Sequence, residues 1–204
     1  MAHHLFLLRR PLSPELWDQL DRSGNMIACA PSAVEDASDA LLDLIVGRKS
    51  MLISCTVAGL AGKSLSVGLV SDLFAIREGA SIRLDGLDPV GMAGLVWRIG
   101  RSAIPLIAVN DEPLDAERMI REGIADVVVP EGIDPLEWVR SWLGRRSLAA
   151  LTSAARLVRS GGGERVERAE FARLFAAGVP AEGLSAFLER RPARFEEELI
   201  VETI

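Results

Sequence analysis

The fold is decided by the stretch Glu112-Pro113-Leu114-Asp115-Ala116-Glu117 and its continuation Glu122-Gly123-Ile124-Ala125-Asp126-Val127-Val128-Val129-Pro130. Asp115 is the kind of residue that caps a helix, and Gly123 is the kind that ends one. The run from Ile124 to Val129 is rich in β-branched residues and predicts a strand, which Pro130 closes. A helix followed directly by a buried strand is the repeating unit of α/β folds.

The same alternation extends upstream of this stretch. Short apolar runs predict strands at Leu5–Leu8, Met26–Ala30, Met51–Val57, Leu73–Ile76 and Ser81–Leu84. Helical spacing or a capping Ser-Pro pair predicts helices from Ser13-Pro14, over Glu35–Val46 and over Val90–Ile99. We therefore predict an α/β core with parallel strands.

The pattern changes after Asp134-Pro135, a second cap-and-proline helix start. Apolar residues at helical spacing then define three faces: Leu136, Val139 and Leu143; Phe171, Leu174 and Phe175; and Leu184, Phe187 and Leu188. We predict a C-terminal helical region over 134–204, with no strand of its own and no sheet to cover, attached to an α/β core over 1–133.

Composition and charge exclude several classes of protein. The chain has 204 residues, of which 49% are hydrophobic and 25% charged, so it is globular. The net charge of -6 argues against nucleic acid as the main partner. No apolar run reaches the ~20 residues of a membrane span, and a cytoplasmic protein without a membrane partner is expected. Cys29 and Cys55 lie in apolar runs and are expected to be buried free thiols.

Several motifs, in the right order, resemble the crotonase (enoyl-CoA hydratase/isomerase) superfamily. The opening stretch resembles its "R-P-L-D-A-E-E-A-x-R-x-G-L-V-x-x-V-V-P". The segments Gly86–Pro89, Leu95–Arg101 and Glu182–Pro192 resemble its "G-L-x-P", "L-x-R-x-V-G-R" and "E-G-x-x-A-F-x-E-K-R-x-P", and Ser71-Asp72-Leu73 resembles "C-D-L". The resemblance implies a crotonase-like ββα spiral core and a helical tail that forms trimers or dimers of trimers.

The resemblance also implies a ligand and a way of binding it. The family takes acyl thioesters of CoA or a carrier, without a separate cofactor or metal, and holds the thioester oxygen between two backbone N–H groups. Such donors stabilise a developing oxyanion by a few kcal/mol each. The first donor segment falls on Ala58–Ser64, with Gly62 and Lys63 at the donor position. The second falls on Ala28–Ser32, where Pro31 has no N–H, so Ala30 or Ser32 is the candidate.

The sequence departs from the family at its catalytic glutamates. A hydratase uses two of them to activate water and move a proton. Ser66 stands where the first is expected, and the second falls on Gly86 or is lost in a shortened loop. Asp85 and Asp88 lie nearby and could substitute, although aspartate also favours turns for its local hydrogen bonds. Ser66 fits a packing or capping role as well as a catalytic one, since no base stands beside it in the sequence.

Three functional hypotheses remain open. The chain is a divergent lyase, isomerase, decarboxylase or thioesterase of this family; or an inactive homologue that binds an acyl thioester or assists a partner enzyme; or a nucleotide-binding protein. The last rests on Gly62-Lys63-Ser64, the end of a degenerate P-loop over 57–64, in which Val57 replaces the first glycine. His3-His4 offers a metal pair, for which an unstructured chain end is the simpler interpretation.

Overall fold

A six-stranded parallel sheet forms the centre of the molecule. A computed structural model describes residues 2–22, 26–30, 33–34, 36–56, 62–84, 86–105, 112–195 and 198–204. Within these residues, the strands of the large sheet are β1 (Ala2–Leu8), β2 (Met26–Cys29), β3 (Met51–Thr56), β4 (Leu73–Arg77), β7 (Val127–Val129) and β8 (Glu198–Thr203). Their spatial order is β7-β4-β3-β2-β1-β8. A second, antiparallel pair consists of β5 (Ser81–Ile82) and β6 (Leu114–Asp115).

Helices connect the strands and extend beyond them. In the described residues they are α1 (Pro14–Arg22), α2 (Asp39–Val46), α3 (Gly62–Val70), α4 (Pro89–Ile99), α5 (Ala116–Arg121), α6 (Pro135–Leu143), α7 (Leu148–Arg159), α8 (Glu164–Ala176) and α9 (Val179–Glu189). The predicted alternation of helices with parallel strands is confirmed.

Capping residues set the starts of the predicted helices. The Ser13 hydroxyl accepts the N–H of Leu16 at 3.2 Å, and Asp115 accepts the N–H of Arg118 at 2.8 Å. Asp134 caps α6, and Arg9 also donates to it through two nitrogens. The Arg9 hydrogen bonds are the main reason that the pKa of Asp134 is lowered.

Apolar side chains cover the sheet on both faces. Successive side chains of a strand point to opposite faces, so Phe6 and Leu8 pack with α1 and α2 while Leu5 and Leu7 pack with α6. Strands β2 and β3 are buried at every residue, as expected for parallel strands inside an α/β fold. Cys29 and Cys55 are buried free thiols, as predicted, and burial raises the pKa of Cys29 to about 12.

The C-terminal region differs from its sequence prediction in two respects. Strand β8 pairs in parallel with β1, with Leu5 opposite Val201, so the region does contribute a strand. Helix α6 buries Leu136, Val139 and Leu143 against the sheet, so its first apolar face does have a sheet to cover. Both predictions were wrong because the pairing of β8 and the packing of α6 depend on strands far away in the sequence, which local patterns do not reveal.

The other two apolar faces of the tail remain uncovered. Phe171, Phe175, Leu184, Phe187 and Leu188 are 48–80% exposed, and α8 has no buried residue. No single helix of the described residues is long and apolar enough to span a membrane. Within the same residues, α8 and α9 taken together, bent by 72°, meet the length and composition of a span.

Candidate active site at the carboxyl edge of the sheet

The candidate site lies at the carboxyl edge of the parallel sheet, where α2 and α3 begin. Helix α3 begins at Gly62, after β3 ends at Thr56, and its first turn lies beside the start of α2. The two helix starts are joined by Lys63 Nζ and Asp39 Oδ1, which are 2.9 Å apart. Ligands of open α/β sheets bind outside the carboxyl ends of the strands. Gly62 and Lys63 therefore occupy an edge at which a ligand is expected.

Gly62 starts α3 in a left-handed backbone conformation, with φ of 56°. A Cβ added there would meet no atom of the described residues within 4 Å, so the need for glycine is conformational. The N–H groups of Gly62, Lys63 and Ser64 belong to the first turn and have no intrahelical acceptor. They also form the positive end of the helix dipole. This helix start can therefore receive an oxyanion.

The side chain of Lys63 is engaged at the surface. It is 37% exposed, and its partner Asp39 is 91% exposed. Ion pairs between exposed side chains contribute about 0–1 kcal/mol. The ammonium group is thus held by Asp39, and the backbone N–H is the part of Lys63 best placed to act as a donor.

Ser66 lies on α3, on the side that faces α4. Its side chain is fully buried, and its hydroxyl donates to the Gly62 carbonyl at 3.3 Å. A Cβ built on Gly91 would lie 2.3 Å from the Ser66 hydroxyl oxygen, so the two helices meet at these residues. In the part of the chain that the structure describes, no base is hydrogen-bonded to this hydroxyl. Ser66 thus has the environment of a packing residue.

Gly91→Ala should destabilise the protein by about 1–3 kcal/mol, since the added methyl group collides with Ser66. The loss should exceed the gain of up to ~1 kcal/mol that alanine brings to a helix. Urea denaturation would measure it.

The control for this substitution is the pair Ser66→Ala and Ser66→Ala/Gly91→Ala. The double variant should recover part of the loss, because the nearest clashing atom is gone. Equal losses in the single and double Gly91 variants would show that the hydroxyl does not limit the approach of α4.

Asp88 caps α4 and retains one free carboxylate oxygen. Its Oδ1 accepts the N–H of Gly91 at 2.8 Å, and Pro89 follows at the first helical position. Its Oδ2 is buried and has no hydrogen-bond partner among the described residues. A buried polar atom without a partner is uncommon in folded proteins. Asp88 can therefore cap the helix and still offer an acceptor to a ligand.

The second donor segment is only partly described. The N–H of Ala30 donates to the Leu8 carbonyl at 3.0 Å, which extends the β1–β2 pairing, so Ala30 does not offer a free donor. Ser32, the other candidate, lies outside the described residues. So do Asp85 and residues 57–61, the first part of the degenerate P-loop.

Gly91 and the buried pair of Arg48 with Asp72 were not singled out from the sequence. Gly91 had a detectable signal, because it stands three residues before Gly94 in a helix, a spacing that permits close packing of helices. Gly94 lies against Leu69 and Val70 of α3 in the same way. Arg48 and Asp72 are 24 residues apart, so no local pattern relates them.

No group of three His, Cys, Asp or Glu side chains that could hold a metal occurs in the described ranges. His3 and His4 lie in β1, so the prediction of an unstructured chain end was wrong. His4 Nδ1 is 3.3 Å from Glu202 Oε1 of the adjacent β8. The histidines thus belong to an inner strand of the sheet, between β2 and β8.

The chain has the fold of the enoyl-CoA hydratase/isomerase, or crotonase, structures, with an α/β core, a parallel sheet and C-terminal helices. An enoyl-CoA hydratase/isomerase family protein from Hyphomonas neptunium matches with a TM-score of 0.66 and 22% identity, over 96% of this chain and 95% of that one. An enoyl-CoA hydratase from Polaromonas sp. matches with a TM-score of 0.67 and 19% identity, over 96% and 97%. The Pseudomonas aeruginosa protein DspI matches with a TM-score of 0.63 and 20% identity, over 96% and 94%.

The likeness is one of structure. No protein-family model matches the sequence. No curated protein matches it either.

Proposed function

We propose that the protein binds an acyl thioester, with the backbone N–H of Lys63 donating to the thioester carbonyl. The observation that carries the proposal is the start of α3 at the carboxyl edge of the sheet, where Gly62 has a φ of 56°. The first-turn N–H groups need acceptors, and the helix dipole favours negative charge beside them. An enolate oxygen formed at a thioester carbonyl meets both requirements.

The rest of the site favours binding over hydration. Ser66 is packed against Gly91 and lacks a carboxylate. Asp88 is the candidate carboxylate with a free oxygen, and its other oxygen is committed to the cap of α4. One carboxylate can hold or move one proton, whereas hydration requires a second group to activate water. The proposed function is therefore the binding of an acyl thioester without hydratase activity, either alone or together with a partner enzyme.

Lys63→Pro should weaken the binding of butyryl-CoA by at least tenfold. Proline removes the backbone N–H and is tolerated in the first turn of a helix, so the fold should persist. A single oxyanion donor contributes about 2.7–4 kcal/mol to a transition state, and part of that should appear in ligand binding. Isothermal titration calorimetry would measure the affinity.

Lys63→Ala is the matched control for this experiment. It removes the ion pair with Asp39 and keeps the N–H, so the affinity should stay within about threefold of the original. ATP and free CoA should be titrated in parallel. Tight binding of ATP, or equal losses in the two variants, would contradict the proposed donor.

We also infer that the protein forms a homo-oligomer, a trimer or a hexamer, through α8 and α9. Phe187 and Leu188 of α9 are 80% and 78% exposed, and Phe171 of α8 is 62% exposed. The rings of Phe171 and Phe175 are 4.4 Å apart and make one continuous apolar surface. Large exposed apolar patches mark interaction sites on folded proteins.

Phe187→Asp combined with Leu188→Asp should shift the protein from oligomer to monomer at micromolar concentration. Two charges at the centre of an apolar interface would remain without partners after association. Size-exclusion chromatography with light scattering would report the mass. Leu44→Asp, at a residue of α2 that is 38% exposed, is the control and should leave the mass unchanged. A monomeric wild-type protein would contradict the inferred assembly.

A further inference from the structure

A cationic cavity of about 870 Å³ lies at the amino edge of the sheet, at the opposite end from the candidate active site. Arg48 and Lys49 line it immediately before β3 begins, and Arg159 lines it at the end of α7. The Arg159 guanidinium donates to the Lys49 carbonyl at 3.1 Å, which ties α7 to this edge. The lining residues come from five parts of the chain: β1, α1, the end of α2 with the loop after it, α7 and α8.

The cavity holds more cations than carboxylates. Six cationic side chains line it: Arg22, Arg48, Lys49, Arg156, Arg159 and Arg173. Among the described residues, four carboxylates contact them: Asp18, Asp72 and Glu170 pair with arginines, and Asp21 accepts the backbone N–H of Lys49. Six cations against four carboxylates leave an excess of two positive charges among the described residues, on a protein whose net charge is -6.

The excess arises because arginines share carboxylates. Asp72 Oδ1 is 3.2 Å from Arg48 and 2.6 Å from Arg159. Glu170 likewise accepts from both Arg156 and Arg173, the latter at 3.1 Å. Concentrated positive charge in a concave site attracts an anion, and guanidinium groups match the oxygens of phosphate.

An apolar groove of about 380 Å³ adjoins this cavity and shares Val46, Arg48 and Arg159 with it. Its other walls include Val70, at the end of α3, and Val90 and Trp97 of α4. Trp97 is 53% exposed, which is high for a tryptophan that packs against a groove. Val90 and Trp97 are seven residues apart on one helix, which corresponds to roughly 10 Å.

We propose that the cavity and the groove together bind a single-chain alkyl phosphate, with its phosphate among the arginines and its chain along α4. The two excess charges match a phosphate monoester, which carries about -1.5 to -2 at pH 7. A carboxylate head group carries a single negative charge and would neutralise only one of the two excess positive charges. The alkyl chain would cover the exposed apolar surface of Val46 and Trp97.

Calorimetry at low ionic strength, with octyl phosphate and inorganic phosphate as probes, tests the proposal. Octyl phosphate should bind at least tenfold more tightly, because its chain is removed from water in the groove. Arg156→Gln should weaken both probes at least fivefold. Trp97→Ser should weaken octyl phosphate at least fivefold and leave inorganic phosphate unchanged. This difference separates an amphiphile site from a site for free phosphate.

Arg140→Gln is the matched control. Arg140 is 57% exposed and pairs with Glu137, and Arg156 is 54% exposed and pairs with Glu170. Arg140, however, lies on α6 and does not line the cavity. Equal losses in the Arg140 and Arg156 variants would overturn the proposal, and so would equal affinities of wild type for the two probes. Lys49→Gln should repeat the Arg156→Gln result and serves if that variant fails to fold. The outcome does not depend on the acyl-thioester proposal, because Lys63 is not involved.

Discussion

Asp72→Ala should lower the free energy of unfolding by about 3–5 kcal/mol, because it leaves buried guanidinium groups without their counter-charge. The side chains of Asp72 and Arg48 are only 4% and 2% exposed, and that of Arg159 is 15% exposed. Asp72 also accepts the N–H of Leu52 at 2.8 Å, so a strand would lose a partner as well. Burial lowers the pKa of Arg48, and Asp72 opposes that shift.

Urea denaturation would measure this loss, with Asp39→Ala as the control. Asp39 also accepts from a cation, Lys63, but its side chain is 91% exposed. Its removal should cost less than about 1 kcal/mol. Comparable losses in the two variants would mean that the burial of the Asp72 network does not determine its contribution.

Asp126 makes the same backbone contacts before β7 that Asp72 makes before β4. It precedes β7 and accepts the N–H of Phe74 at 2.7 Å, as Asp72 precedes β4 and accepts the N–H of Leu52. The N–H of Asp72 donates in turn to the Leu52 carbonyl, and that of Asp126 donates to the Phe74 carbonyl, both at 2.9 Å. Arg98 binds Asp126, much as Arg48 binds Asp72. Two aspartates of the resemblance motifs thus set the register of adjacent strands.

The sequence predicted those parts of the fold that depend on local physical chemistry. The cap at Asp115, the proline after Asp134 and the β-branched run at Val127–Val129 each act within a few residues of the chain. The cap and the proline appear in the structure as expected, and the strand predicted over Ile124–Val129 forms over its second half, Val127–Val129. The helix start at Gly62 also depends on local chemistry, because a glycine can adopt its left-handed conformation without strain.

The parts that depended on distant contacts could not be predicted in this way. The six residues of β8 become a strand only because β1, near the other end of the chain, offers a free edge. Ala30 was a candidate donor from the sequence, but its N–H donates to the Leu8 carbonyl, a contact that no local motif encodes. Ser66 was ambiguous for the same reason, since its packing depends on where α4 crosses α3.

Turnover of crotonyl-CoA should be negligible, far below the ~10 s⁻¹ median of enzymes. Hydration needs one group to activate water and another to protonate the α-carbon. Ser66 is packed against Gly91, and only Oδ2 of Asp88 is free in the described part of the site. General acid–base assistance typically contributes ~10²–10⁴-fold per group. A site that lacks one or both of the expected carboxylates should therefore retain little hydratase activity, even if the thioester binds.

A spectrophotometric hydration assay, with Asp88→Asn and Asp115→Asn compared, would check this expectation. Asp88 and Asp115 both cap helices through a backbone N–H at 2.8 Å, and asparagine preserves a cap. Any residual turnover should fall in Asp88→Asn and persist in Asp115→Asn, because Asp88, unlike Asp115, has a buried carboxylate oxygen with no hydrogen-bond partner in the described part of the chain. Asp85→Asn should be assayed beside them, since Asp85 is the other candidate carboxylate. A wild-type turnover of about 10 s⁻¹ or more would contradict the loss of hydratase function, and the variant that lost turnover while retaining butyryl-CoA binding would then identify the base.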